Sequence, residues 1–384
     1  MDLSCTPGDE EFRARLREWL AAVLPGLPPK PSPDDWPGRR AYDLGWQRLL
    51  YDAGYAGLHW PVDAGGRGAT PTRHLIFLEE TEKAGAPYVG ANFVGLLHAG
   101  PTIAAEGGAA QRARWLPPVL RGEEVWCQGF SEPDAGSDLA ALRTRAHRDG
   151  DDYVVSGSKI WTSHAEVADW CELLVRTDPK APKHRGITWL AMPMDAPGIT
   201  VRPLRTLAGS AEFAEVFLDE VRVPVGNRVG EENDGWRVTM VTLSFERGTA
   251  FVGEVVACRR VLRELAYEAR ANGRWDDVPL RRRLGRLNAE FRALWRLTQW
   301  NVSEAERTGG VPGAGGSVFK LRYSQARQEL YDAAAEVLGP DGLDLDRRWT
   351  ADRLSSLSYT IAAGTSQIQR NIVAERILGL PKGR

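Results

Sequence analysis

Along residues 9–24 the apolar positions Phe12, Leu16, Trp19, Leu20 and Val23 recur at the spacing that lines one face of an α-helix, and Pro25 and Pro28 stop it. The same grammar predicts helices over 41–53, over 71–84 with Thr70 as N-cap, and over 110–116, ended by Pro117. From Trp126 the pattern changes: β-branched and aromatic residues gather in short runs at 152–156, 172–176, 187–191, 199–202 and 214–218, which read as strands. Asp149-Gly150 and Pro197-Gly198 supply turns between them, and so many short strands imply an antiparallel sandwich or barrel. After Gly235 helical spacing returns and runs almost to Pro381, broken by the glycine-rich stretch 309–316, which reads as a flexible connection between helices. The order α, then β, then α predicts an α+β fold.

Composition changes this picture little. A chain of 384 residues holds two or three structural units, and a formal net charge of −2 gives no pull toward nucleic acid or an anionic membrane. Cys5, Cys127, Cys171 and Cys258 are scattered without a C-x-x-C pair, so neither a metal site nor a disulfide framework is expected, and a reduced, cytoplasmic setting fits best. The N-terminus lacks the build of a signal peptide, and no apolar run approaches the length of a membrane span. The stretch 309–316 does not meet the G-x-G-x-x-G spacing, and the chain contains no G-x-x-x-x-G-K-[ST] phosphate loop.

Three blocks carry the chemistry. In 126–138 (WCQGFSEPDAGSD) proline and small residues hold an extended, approachable backbone, while Ser131 and Ser137 offer hydroxyls. In 157–163 (GSKIWTS) Trp161 offers a flat face and Ser163 a hydrogen bond. In 363–371 (AGTSQIQRN) Thr365 and Gln367 open the last helix, with Ser366 and Gln369 in a capping-box pattern. Each block alone also suits a bland turn, a core aromatic or a capped packing helix. In this order they closely resemble the acyl-CoA dehydrogenase family, whose members use FAD to desaturate acyl thioesters between the α and β carbons.

That resemblance implies an N-terminal α-helical domain (1–125), a central antiparallel β domain (126–232) and a C-terminal four-helix bundle (233–384), with flavin at their junction. It implies cofactor contacts at Gln128, Ser131, Trp161, Ser163, Arg270, Gly339, Thr365 and Gln367, and substrate contacts at Ser137 and Arg247. Departures are visible: of the family's Arg-x-x-Phe-Gly only Arg270 is kept, and its glycine-rich run is reduced to Gly339 and Gly342. Where many members place a catalytic glutamate before the last helix, this chain has Ala363, which cannot take a proton. The isovaleryl and long-chain branch carries that glutamate on an earlier helix before an arginine, which matches Glu246-Arg247 here. Glu246 lies one helical turn beyond Thr242 and two beyond Val238, a largely uncharged face where desolvation raises a carboxyl pKa toward that of a useful base. The implied reaction removes the α proton at Glu246 while a hydride leaves the β carbon for flavin N5. The implied partners are an acyl-CoA or carrier-tethered thioester, an electron-transfer flavoprotein as acceptor, and further subunits in a homodimer, homotetramer or hetero-oligomer. Two alternatives stay open, a flavin-binding but non-catalytic subunit and a flavin monooxygenase on the same fold.

Overall fold

A computed structural model describes residues 5–249, 251–308, 315–344 and 347–382, with side chains excepted at 246–249. The N-terminal part is helical: α1 (Pro7–Val23), α2 (Trp36–Asp52), α3 (Pro71–Lys83), α4 (Gly100–Glu106) and α5 (Ala109–Arg121). Thr70 caps α3 as expected, its hydroxyl accepting the Arg73 N–H at 3.3 Å. Pro117 does not end α5. The helix runs through Pro117 and Pro118 to Gly122, whose φ of 67° closes it. Each proline removes one ladder hydrogen bond, but Trp115, Leu116, Val119 and Leu120 are buried on the core side and hold the helix in place. One π-turn (Gly95–Ala99), absent from the sequence reading, precedes α4.

The middle part is one sheet of β1 (Trp126–Gly129), β2 (Arg145–Asp149), β3 (Asp152–Ser163), β4 (Trp170–Arg176), β5 (Ile187–Pro193), β6 (Ile199–Leu204), β7 (Phe213–Pro224) and β8 (Arg228–Val229). Its order is β6-β7-β3-β2-β4-β5-β8, with β1 beside β4. Most pairings are antiparallel as expected, but β1 and β2 each meet β4 in parallel. The Asp149-Gly150 and Pro197-Gly198 turns form, with Gly150 at φ 62° and Gly198 at φ 92°.

The C-terminal part is α6 (Gly235–Thr249), α7 (Val252–Ala271), α8 (Val278–Thr308), α9 (Gly315–Leu338), α10 (Arg348–Ser356) and α11 (Ser366–Ile372). The expected flexible connection falls at 309–314, outside the described residues, whereas Gly315 and Gly316 already belong to α9. Buried residues of α7, α8 and α9 form one core with Leu75 of α3. A second core joins Trp115 and Trp60 to Trp126, Trp189 and Val238, fastening the N-terminal helices to the sheet and to α6.

Candidate active site

The first two blocks meet across the sheet. Ile160 donates its backbone N–H to the Ser131 carbonyl at 2.9 Å. Lys159, only 1 % exposed, donates its ammonium to Glu132 at 2.9 Å and to the Phe130 carbonyl at 3.2 Å. The same carboxylate accepts the N–H groups of Arg143 (2.6 Å) and Thr144 (2.8 Å). Burial alone would raise the Glu132 pKa, but the Lys159 charge and these donors hold it below the ordinary value. Sequence reasoning missed this pair. The available signal was a lysine at the same strand parity as Tyr153 and Val155, an inward position that demands a buried partner.

The second block lies inside β3 rather than after it, because the strand continues to Ser163 across two register breaks. The break between Lys159 and Thr162 leaves Trp161 at φ 61°, with its ring 58 % exposed and set edge-on to Phe213 at 5.8 Å. Ser163 is half-buried, and Thr162 is fully buried with a hydroxyl that has no hydrogen-bond partner among the described residues. His164, between Trp36 and Phe93, is pushed down to about 4 by burial. An outward aromatic face beside polar side chains fits the flavin ring of FAD. Gln128 is engaged within the chain, its amide donating to Glu172 at 2.7 Å and standing 3.1 Å from His98 Nδ1.

A cavity of about 900 Å³ opens between the N-terminal helices and the bundle, walled by residues such as Phe77, Leu97, Ser244, Phe245 and Val302. The side chains of Glu246 and Arg247 lie outside the described residues, but α6 carries them directly after Ser244 and Phe245. The face expected to be uncharged is so among its described members, with Val238 and Thr242 buried and Thr242 bonded to the Thr102 hydroxyl at 2.9 Å. Two described carboxylates also line the cavity. Glu82 pairs with Arg260 at 3.2 Å, and Glu254 accepts hydrogen bonds from Tyr323 (2.5 Å), Tyr359 (2.8 Å) and Arg327. These three donors hold the Glu254 carboxylate in place within the protein.

The remaining predicted residues form other groups. Ser137 is exposed in the loop after β1. Thr365 caps α11, accepting the Ile368 N–H at 3.2 Å, so the cap sits one residue before the expected Ser366. Gln369 instead donates to the carbonyls of Ala363 and Gly364, which turn at φ 51° and 82°, and Lys320 fixes Gly364 from α9 at 2.6 Å. Gln367 is exposed. Arg270 stacks its guanidinium over Trp275 at 3.8 Å, and Asn272 bonds the Val337 carbonyl at 2.7 Å, bringing the Arg270 and Gly339 turns to one end of the bundle. Arg270 lies sixteen positions beyond Glu254 on α7, about 24 Å of helix, so this group does not share the cavity wall.

Comparison with known proteins agrees with this layout. Models of the acyl-CoA dehydrogenase N-terminal, middle and C-terminal domains match residues 6–123, 127–221 and 233–378. The acyl-CoA dehydrogenase IpdE1 of Mycobacterium tuberculosis is 39 % identical over 97 % of this chain and 98 % of its own. Among solved structures, the Mycobacterium tuberculosis ChsE4-ChsE5 complex is 34 % identical with a TM-score of 0.83, covering all of both chains. The Tcur3481-Tcur3483 steroid ACAD is 31 % identical with a TM-score of 0.84, also over the full length of both. The chain therefore belongs to the acyl-CoA dehydrogenase family and is an acyl-CoA dehydrogenase enzyme.

Proposed function

We propose that this chain is the catalytic subunit that converts a bulky, ring-bearing acyl-CoA to its α,β-enoyl thioester, with Glu246 removing the α proton. The observation that carries this reading is the placement of α6, whose described cavity-lining residues Ser244 and Phe245 stand immediately before Glu246. Ala363 has no proton acceptor, and the described wall carboxylates Glu82 and Glu254 are each matched by arginine, which leaves Glu246 as the base of choice. A cavity of about 900 Å³ suits a ring system, in keeping with the steroid ACAD among the similar structures.

Family membership implies FAD in general, and in this chain the exposed Trp161 face, Ser163 and the backbone at Ser131 would hold its ring, with Gln128 behind them. When bound, FAD supplies the acceptor for the hydride that leaves the β carbon. Arg270, Gly339, Thr365 and Gln367 would meet the cofactor's phosphates and adenosine through a neighbouring subunit. We assign that neighbour to a hetero-oligomer, since two of the family's FAD motifs are reduced here and two similar structures are named as pairs of proteins. Ser137 would contact the pantetheine arm of CoA and Arg247 the substrate beside the base. Reoxidation by an electron-transfer flavoprotein and a cytoplasmic setting complete the reading; among the described residues no helix is long and apolar enough to cross a membrane.

Glu246→Gln tests the assignment. The variant is expected to keep its flavin yet lose turnover by roughly 10²–10⁴-fold, measured as kcat with an artificial electron acceptor. Turnover within a few fold of wild type would place the base elsewhere.

A further inference from the structure

His59, in the turn after α2, and His74, in the first turns of α3, stack their imidazoles in the cavity wall with ring centroids 4.2 Å apart and planes tilted by 16°. Neither ring hydrogen-bonds to another described residue, and neither has a role in proton removal or in holding the cofactor. Both face a cavity otherwise walled largely by Phe77, Leu97, Val302 and similar apolar groups. Two parallel rings at this separation cannot both carry a proton without direct charge repulsion. Burial lowers His59 to about 4 and His74 well below its ordinary value, so the pair is neutral at pH 7. Among the described residues the wall carboxylates Glu82 and Glu254 are matched, by Arg260 and Arg327.

Resting on the reading of this cavity as the acyl pocket, we infer that His59 and His74 form a polar subsite that recognises a neutral oxygen function, a ketone or hydroxyl, on the ring-bearing acyl group of the substrate. A neutral imidazole pair offers two N–H donors and two ring-nitrogen acceptors, all unused among the described residues. In an apolar wall such groups favour a ligand that satisfies them over one that leaves them bare.

The test compares kcat/KM for three ring-bearing acyl-CoA thioesters identical except for a ring ketone, a ring hydroxyl or neither. The intact enzyme is expected to prefer at least one oxygenated thioester over the deoxy compound by about tenfold. His59→Phe and His74→Phe, which keep a ring but remove both nitrogens, are expected to bring that ratio close to one. A wild-type ratio near one overturns the proposal without recourse to any variant, and a ratio that survives in both variants overturns it as well. Because the readout is a ratio within one preparation, a general loss of folded enzyme does not imitate the effect. Failure of every thioester to react with wild type would instead remove the underlying dehydrogenase reading.

Discussion

Lys159 and Glu132 show how single residues hold the first two sequence blocks in register. The ammonium is 1 % exposed and its partner 8 %, so deleting one member strands a buried charge. Lys159→Met is expected to destabilise the fold by about 3–5 kcal/mol, read as a lowered urea midpoint. The depressed Glu132 pKa fixes the sign of the pH effect: the pair's contribution is full above the ordinary value of 4.5 and is lost as pH falls through the lower folded value. Glu132→Gln is expected to flatten that acid limb, measured as urea midpoint against pH; an unchanged limb would count against the pair. Ser131 and Trp161 were singled out in the sequence because each sits in a contiguous block, and Glu246 because an arginine follows it while Ala363 offers no base. The ion pair was not, since its partners are 27 residues apart and meet only through sheet register. Nor were His59 and His74, whose stacking depends on how the turn after α2 folds against α3.

Among elements, β3 carries the most information. Gly157 sits at φ 153°, and a Cβ there would lie 2.6 Å from the Thr144 hydroxyl and 2.7 Å from its Cα. Gly157→Ala is therefore expected to cost on the order of 1–3 kcal/mol and to weaken flavin retention by shifting the bulge that turns Trp161 outward, checked by thermal unfolding and by flavin content. Periodicity located five strands, yet missed β1, β2 and β8, which are short or highly polar, and it stopped α5 at a proline that tertiary packing overrides. It also placed the last cap at Ser366, where Thr365 wins because its hydroxyl reaches the Ile368 N–H. These misses share one cause: local rules price the backbone of a segment, and long-range burial decides between near-equal options.

At the level of the molecule, the cavity exists because α3 joins the core of the bundle while the π-turn and α4 pack on α6. Buried neutral histidines accompany this arrangement, with His59 and His164 near 4 and His74 also depressed. An unfolded chain binds more protons than the native one between about pH 4 and the ordinary histidine value of 6.5, so stability falls as pH drops through that window. The urea midpoint is expected to decrease steadily from pH 7 to pH 5, and a flat profile would contradict the buried neutral state. The layout of helices, sheet and bundle was readable from sequence, whereas the cavity, being a product of packing between distant helices, was not. The central claim, that this chain itself oxidises an acyl-CoA, is tested most directly by the visible spectrum of the purified assembly, recorded anaerobically before and after addition of ring-bearing acyl-CoA thioesters. The account predicts a bound-flavin band that a thioester bleaches in wild type and leaves intact in Glu246→Gln. A protein without that band, or one whose band no thioester alters, would contradict it.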